Sequence, residues 1–497
     1  MSGPGSAPEF RGKSLSACAA SIPGVLLVDL PVHGDSRGWF KETWQRSKMA
    51  ALGLPDFGPV QNNVSFNERA GTTRGIHAEP WDKFVSVAGG RVFGAWVDLR
   101  EGPTFGRTFH HVLDPSQAVF VPRGVGNAFQ TLEDGTVYTY LVNDHWSADA
   151  QGKYTFLNLA DPAAAVPWPI PLSRAQISEQ DKLHPFLPEV RPMPPKRTLV
   201  LGANGQMGSA LRKTLEARTT DYAGRGDFDL TDSSAYRNIQ WQDYSTVINA
   251  AAYTAVDEAE TPTGRRAAWA VNAAAVSRLA AAAAEHRITL VHLSTDYVFD
   301  GAEAPYREDA PVSPLGVYGQ SKAAGDAAAA AVARHYLIRT SWVIGDGRNF
   351  VRTMAALAAG GAAPRVVNDQ IGRLAFADDV AAGIRHLLAT GAPYGTYNLT
   401  NSGDPVSWAG VAAEVFRLTG ADPAAVAGVS TAEYSASLPS AAPRPRNSVL
   451  DLAKITAAGF APRPAFEALE AYLFEAAVAR DREVPSAPWA GTAPGPG

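Results

Sequence analysis

The chain has 497 residues, with 44 Lys or Arg against 49 Asp or Glu, a net charge of −5 and one cysteine, Cys18. That length predicts two to four domains, and a mildly acidic balance without basic runs excludes a polyanion-binding surface, so no nucleic-acid partner is expected. One cysteine rules out an internal disulfide framework and fits a reducing cytoplasm, and no run of about 18 apolar residues predicts a membrane span.

Residues 1–23, rich in Gly, Ser, Ala and Pro, are predicted to be disordered. From 24 to 189 the pattern is one of short β-type runs, among them 24–29, 83–87, 92–97 and 118–122, punctuated by turn residues. With no long helical period among them, an all-β sandwich or barrel is expected. The stretch 190–196 is proline-rich and reads as a short, semi-rigid linker. From 197 to 478, apolar strands alternate with alanine-rich helical stretches, as a parallel sheet with crossover helices requires. Residues 479–497 read as a disordered tail.

Chemistry concentrates first in the α/β part. The apolar run 197–201 leads into Gly202-Ala-Asn-Gly205-Gln206-Met207-Gly208 and then a helical pattern. Glycines there permit a tight turn and close backbone approach to a pyrophosphate held at the helix N-terminus. Another apolar run, 288–293, ends in Ser294-Thr295-Asp296. Tyr318 and Lys322 follow, four apart on one helical face. A neighbouring ammonium is expected to pull the phenol down from its usual pKa of about 10, and the Thr295 hydroxyl to hold a carbonyl. That combination protonates a carbonyl oxygen while hydride arrives at carbon. An acidic residue after the second strand selects NAD and a basic one NADP. Here Arg225 is placed for a phosphate and Asp229 near the adenine, so the reading is NADPH, with NADH left open.

In that setting further segments fall in a familiar order: Asn249-Ala-Ala-Ala-Tyr253, Val271-Asn272, Arg339-Thr-Ser-Trp-Val343, Asn368-Asp-Gln370 and Arg444-Pro-Arg-Asn447-Ser448. Residues 197–478 thereby resemble an extended short-chain reductase of Rossmann type, specifically the dTDP-4-dehydrorhamnose reductase family. The resemblance implies that Gly202, Gln206 and Met207 line the cofactor phosphates together with Gly205 and Gly208. It places Ala250, Ala251, Ala252 and Tyr253 along the nicotinamide half and makes Thr295, Tyr318 and Lys322 catalytic. Arg444 and Asn447 would meet the sugar nucleotide. Magnesium, associated with this family, is left open because no ligands can be mapped.

In the β part, Gly34-Asp-Ser-Arg37-Gly-Trp-Phe40, Arg74-Gly-Ile-His77, Gly102-Pro-Thr-Phe-Gly106 and Ser178-Glu-Gln-Asp181 stand in order. Together they resemble the dTDP-4-dehydrorhamnose 3,5-epimerase family, a cupin-like jelly roll that forms dimers. Proton abstraction beside a ketone needs a base poised near neutrality, which suits histidine. The resemblance implies His77 as base, Asp181 as its partner, Lys83 as enolate stabiliser and Tyr140 as the acid on the opposite face. Arg37, Gln61, Asn63 and Arg74 would hold the nucleotide diphosphate and sugar. Three positions depart from the family pattern: Ala78-Glu79-Pro80-Trp81 replaces an aromatic-Gln pair, Asn127 replaces a histidine, and Leu141 follows Tyr140 where a basic residue is usual. His110 and His111 are adjacent and would point to opposite faces of a strand, and no His or carboxylate cluster has ligand spacing, so no metal is predicted.

The two resemblances imply consecutive steps in the cytoplasm, epimerisation at two carbons and then ketone reduction to dTDP-L-rhamnose, by a homodimer acting on a nucleotide sugar. Two readings stay open beside this one. The product could be another deoxysugar such as a 6-deoxy-talose, or the barrel could be a non-catalytic sugar-binding module.

Overall fold

The computed structural model describes residues 12–146, 149–437 and 441–483. Residues 1–11 and 484–497, which hold most of the expected disordered termini, lie outside them. The chain divides into two compact units between Pro195 and Lys196.

The first unit is built from β1 (Ser16–Ala19), β2 (Leu26–Asp29), the hairpin β3 (Val32–Asp35) and β4 (Gly38–Lys41), and helix α1 (Arg46–Ala51). Then come β5 (Gln61–Asn67), β6 (Thr73–Ala78), β7 (Lys83–Gly89), β8 (Val92–Asp98) and β9 (Thr108–Leu113). β10 (Gln117–Val121), β11 (Val125–Thr131), β12 (Thr136–Val142), β13 (Thr155–Phe156) and helix α2 (Glu179–Lys182) complete it. One sheet runs β1-β2-β10-β7-β12-β5 and another β13-β6-β11-β8-β9. Alternation places Val85 and Val87 of β7 and Val119 and Val121 of β10 on one face. They share a core with Trp96, Leu113 and Phe129 from the other sheet. Each such apolar side chain contributes roughly 1.5–3 kcal/mol on burial.

Two expectations are corrected here. Residues 16–19, expected to be disordered, form β1 and pair antiparallel with β2, from Ser16 opposite Asp29 to Ala19 opposite Leu26. The backbone groups of β2's edge thereby gain partners that the small side chains of this segment do not obstruct. The expected linker also begins too early. Val190 and Met193 are buried, and Met193 exchanges backbone hydrogen bonds with Leu99 and Glu101.

The second unit has a six-stranded parallel sheet. Its strands include β14 (Arg197–Leu201), β15 (Thr220–Ala223), β16 (Tyr244–Asn249), β17 (Thr289–Thr295) and β18 (His335–Thr340), with Gly395–Asn398 at one edge. Spatial order is β15-β14-β16-β17-β18 and then Gly395–Asn398. Helices α3 (Gln206–Thr214), α4 (Ser233–Asn238), α5 (Pro262–Trp269), α6 (Ala275–Glu285) and α7 (Val317–Ala330) intervene. Val200, Ile248 and Val291 pack with Ala210 and Leu211 of α3. Leu199, Leu201 and Leu290, of opposite parity, pack with Val276, Leu279 and Ala283 of α6. Both faces of the sheet are therefore covered by helices, which is why its strands read as continuous apolar runs.

The segment Pro262–Glu285 is long and apolar enough by composition to cross a membrane. Ala268 and the buried face of α6 are spent on the core, as in a core helix of a folded domain. The last helix runs Ala465–Glu483, five residues past the expected end at 478.

Two candidate active sites

In the first unit, β6 carries His77 and α2 carries Asp181, and His77 Nε2 lies 2.9 Å from Asp181 Oδ1. Their separation of 104 residues is closed by two local devices. Ser178 caps α2 by accepting the Asp181 N–H. At Gly75, with φ of +121°, a Cβ would come within 2.5 Å of the Ala128 side chain, so only glycine lets β6 approach β11 so closely. Burial raises the Asp181 carboxyl pKa, but the hydrogen bond and charge of His77 outweigh it and leave the group below its ordinary value. His77 is about one third exposed and so faces solvent, while Asp181 does not.

Across the unit, Lys83 begins β7 and Tyr140 lies on β12, with the ammonium 5.4 Å from the Tyr140 ring centre. Burial and the charge of Glu79 push the Tyr140 phenol up to about 12. Asn63 is the register partner of Tyr140, and Gln61 donates to Asn63 at 2.9 Å. Arg74 is exposed on β6 and donates to Asn67 at 3.3 Å. Among the described residues, Arg37 makes no hydrogen bond or ion pair to this group. It sits exposed in the β3–β4 turn, ion-paired with Asp35.

Residues at the departures take definite places. Glu79 Oε1 is 2.6 Å from Lys83 Nζ, and Glu79 Oε2 accepts from Trp81 Nε1 at 2.5 Å. Asn127 stands opposite His77 in the register, and its Oδ1 accepts the buried Tyr138 hydroxyl at 3.2 Å. A further residue escaped the sequence reading altogether. His184 is buried, its Nε2 is 3.9 Å from Asp181 Oδ1, and its ring stacks on Phe156 at 4.6 Å. With His77 and Asp181 it forms a group whose ligand atoms all lie within 4.8 Å of one another, contrary to the expectation of no His–carboxylate cluster. Only the fold closes that spacing: the Asp181–His184 offset matches one helical turn, but α2 ends at Lys182.

In the second unit the turn between β14 and α3 has the shape a dinucleotide needs. Gly202 has φ of +78°, and a Cβ there would meet Ala251 N at 2.5 Å. A Cβ on Gly208 would meet Gly202 O at 2.4 Å, so this glycine is needed for helix–strand packing. Gly205 precedes α3 as its N-cap, Gln206 and Met207 open the helix, and Gln206 Oε1 is buried without a partner. These residues fit a diphosphate at the helix N-terminus. After β15, Arg225 is exposed and 3.3 Å from Asp229 Oδ2, and Asp229 also accepts from the Thr231 N–H and hydroxyl. Asp229 is thus engaged within its own loop.

The segment Ala250, Ala251, Ala252 and Tyr253 follows β16 and is held by Asn272. That amide accepts the Tyr253 N–H at 2.9 Å, donates to the Tyr253 carbonyl at 3.0 Å and donates to Ser321 Oγ at 3.1 Å. Asn272 therefore ties the segment to α7, which carries Tyr318 and Lys322. Thr295 closes β17, donating to Asp296 Oδ1 at 3.0 Å and accepting the Tyr297 N–H.

The expected depression of the Tyr318 pKa is overturned. Burial raises it, the Thr295 hydroxyl opposes, and the charges of Asp296 and Asp326 raise it further. Lys322 is directed elsewhere: its Nζ donates to the Leu293 carbonyl at 2.6 Å and lies 3.5 Å from His292 Nε2. Burial lowers Lys322 to about 8 against the opposing charge of Asp326. Asp326 in turn accepts from Ser294 at 2.8 Å and lies 3.6 Å from Arg339 Nε. His292 accepts from Asn249 Nδ2 at 3.1 Å through its Nδ1 and so adjoins both the Ala250 turn and Lys322. Arg444 pairs with Asp257 at 2.9 Å. Tyr297, whose ring meets Tyr318 edge-on at 5.9 Å, is also reached by the Arg444 side chain. Asn447 caps its own turn by accepting from Val449 N.

The arrangement in the first unit suits proton exchange beside a carbonyl, and that in the second suits reduction of a carbonyl by a dinucleotide. Residues 196–478 match the family described as RmlD substrate binding domain, and residues 19–189 match dTDP-4-dehydrorhamnose 3,5-epimerase. The chain is 53% identical over 180 residues to a Streptococcus pyogenes protein named as an RmlC homolog, covering 35% of this chain and 90% of that one. It is 42% identical over 282 residues to dTDP-4-dehydrorhamnose reductase of Streptomyces griseus, covering 54% of this chain and 90% of the relative. A crystal structure of dTDP-4-dehydrorhamnose reductase from Bacillus anthracis in complex with NADP matches with a TM-score of 0.52 and 33% identity, over 56% of this chain and 99% of that one. The chain belongs to the dTDP-4-dehydrorhamnose 3,5-epimerase family in its first unit and to the dTDP-4-dehydrorhamnose reductase family in its second.

Proposed function

We propose that this chain is a bifunctional enzyme of dTDP-L-rhamnose synthesis. Its first unit, a cupin-like jelly roll, epimerises dTDP-4-dehydro-6-deoxy-glucose at C3 and C5. Its second unit, of Rossmann type, reduces the 4-ketone with NAD(P)H. The observation that carries this reading is the presence, in one chain, of the His77–Asp181 pair and the Lys83–Tyr140 contact in the first unit and of Thr295 beside Tyr318 in the second.

In the first reaction His77 removes the proton beside the ketone, and Asp181 stabilises the imidazolium that forms. The Lys83 ammonium faces the enolate oxygen. Tyr140, kept neutral because its pKa is about 12, returns a proton from the opposite face. The same cycle at the second carbon completes the inversion. Gln61, Asn63, Arg74 and Arg37 are read as the nucleotide-sugar contacts.

In the second reaction NAD(P)H supplies the hydride to C4. Gly202, Gly205, Gln206, Met207 and Gly208 would hold its diphosphate, Ala250 to Tyr253 its nicotinamide half, and Arg225 a 2′-phosphate, which favours NADPH over NADH. Tyr318, neutral because its pKa is raised, delivers the proton to the ketone oxygen, which the Thr295 hydroxyl orients. Lys322, whose ammonium donates to the Leu293 carbonyl in this structure, would turn from that bond to stabilise the phenolate left behind. Arg444, beside Tyr297, and Asn447 are read as sugar-nucleotide contacts. The catalytic groups of both reactions are side chains, and no magnesium role is assigned.

The working form is read as a cytoplasmic homodimer. Val64 and Phe66, exposed on edge strand β5, support a second copy at that edge. The test is NADPH consumption with dTDP-4-dehydro-6-deoxy-glucose. Wild type should turn over, His77→Ala and Tyr318→Phe should each fail, and a mixture of the two variants should recover activity. Full activity of either variant alone would overturn the assignment.

A further inference from the structure

The His77, Asp181 and His184 grouping contains more donor chemistry than proton abstraction uses. A base needs one imidazole and one orienting carboxylate. Here a second imidazole, 7% exposed at its side chain, turns Nε2 towards the same carboxylate oxygen at 3.9 Å. Among the described residues, neither His184 ring nitrogen makes a hydrogen bond of good geometry, although both are buried. A buried imidazole without a well-formed partner is costly unless something else occupies its lone pair. Phe156 stacks on the ring at 4.6 Å and holds its plane. Backbone groups of Gly75 and Leu157 also lie against the ring. A metal-ligating histidine commonly turns one nitrogen to a backbone carbonyl and the other to the ion.

We propose that His77, Asp181 and His184 form a binding site for a divalent transition-metal ion of the zinc class. Two imidazole nitrogens and one carboxylate oxygen are the ligand set of an open zinc site, with the fourth position left to water. In such a site, bonds of about 2.0–2.1 Å set ligand atoms roughly 3.3 Å apart. Asp181 Oδ1 stands 2.9 Å from His77 Nε2 and 3.9 Å from His184 Nε2, so small side-chain rotations satisfy that spacing. His77, about one third exposed, provides the entry side and room for the water. The ion takes His77 Nε2 in place of its hydrogen bond to Asp181, which leaves the ring proton on Nδ1, the nitrogen whose lone pair proton abstraction requires. Occupancy therefore switches off epimerisation and leaves reduction in the second unit running, a consequence that rests on the function proposed above. The binding itself does not.

The experiment uses the full chain, stripped with a chelator and titrated with zinc chloride at neutral pH by calorimetry. One equivalent should bind, and His184→Asn should weaken that binding at least tenfold. Cobalt(II) alone should give the visible bands of four-coordinate cobalt in the wild-type chain, a readout that stands even where the His184 variant does not fold. Solvent deuterium incorporation into the keto-sugar should fall in proportion to zinc bound and return on chelation, while reduction of an already epimerised ketone is unchanged. Absence of stoichiometric binding, unchanged affinity in His184→Asn, or a six-coordinate cobalt spectrum would overturn the proposal. Zinc binding without any epimerase activity in the metal-free chain would uphold the site and reject the catalytic reading instead.

Discussion

Lys83 Nζ lies 2.6 Å from Glu79 Oε1 within the first unit, and both side chains are at most one tenth exposed. A buried ammonium with its carboxylate removed is left uncompensated, which costs about 3–5 kcal/mol. Glu79→Gln should therefore lower the stability of the first unit by about 3 kcal/mol, measured by denaturant melts that follow its tryptophans. The charge of Glu79 also raises Tyr140. Because Tyr140 must hold its proton to act as acid, epimerisation is lost as pH rises through that pKa. The alkaline limb in Glu79→Gln should move to lower pH. An unmoved limb would show that Tyr140 is not the acid.

His77→Ala should reduce solvent deuterium incorporation by about 10²–10⁴-fold, the typical weight of a positioned general base. Asp181→Asn should fall in the same direction, since the imidazolium then loses its counter-charge. Reduction of an epimerised ketone should stay within about twofold of wild type in both variants. Parallel loss of reduction would mean that these substitutions unfold the chain.

Tyr318→Phe should lower reduction by about 10²–10⁴-fold without change in deuterium incorporation. A single-turnover assay with pre-bound NADPH separates this from weakened cofactor binding. An unchanged rate would leave the second unit as a nucleotide-binding module.

Reduction should also report the state of Lys322. Burial brings its pKa down to about 8, so the ammonium is present below that pH and lost above it. The rate of the chemical step should decline as pH rises through about 8. The charge of Asp326 holds Lys322 up, so Asp326→Asn should move this limb to lower pH, and Asp326→Glu should restore it. A limb that stays in place in both variants would remove Lys322 from the protonation path.

Much of this was legible in the sequence because it is local. The spacing of Tyr318 and Lys322 puts both on α7, and the Gly202–Gly208 run lies between β14 and α3, where a phosphate-binding turn belongs. What stayed hidden depends on partners far apart in the chain. His292 could not be placed at Lys322 until β17 and α7 were packed together, whereas Asp326, one helical turn on along α7, is a local neighbour, and the Tyr318 pKa reversed because burial dominates while the Lys322 ammonium points at Leu293. His184 gained meaning only when α2 folded against β6. The stretch 190–193 looked like a linker from its prolines, yet its free backbone groups find Leu99 and Glu101.

The account stands or falls on one incubation: the purified chain with dTDP-4-dehydro-6-deoxy-glucose and NADPH in deuterated buffer, with the product read by NMR. The account predicts dTDP-L-rhamnose carrying deuterium at both C3 and C5. Cofactor oxidation that yields a product without deuterium at those carbons would contradict it, leaving a working reductase joined to a β unit that only binds its sugar.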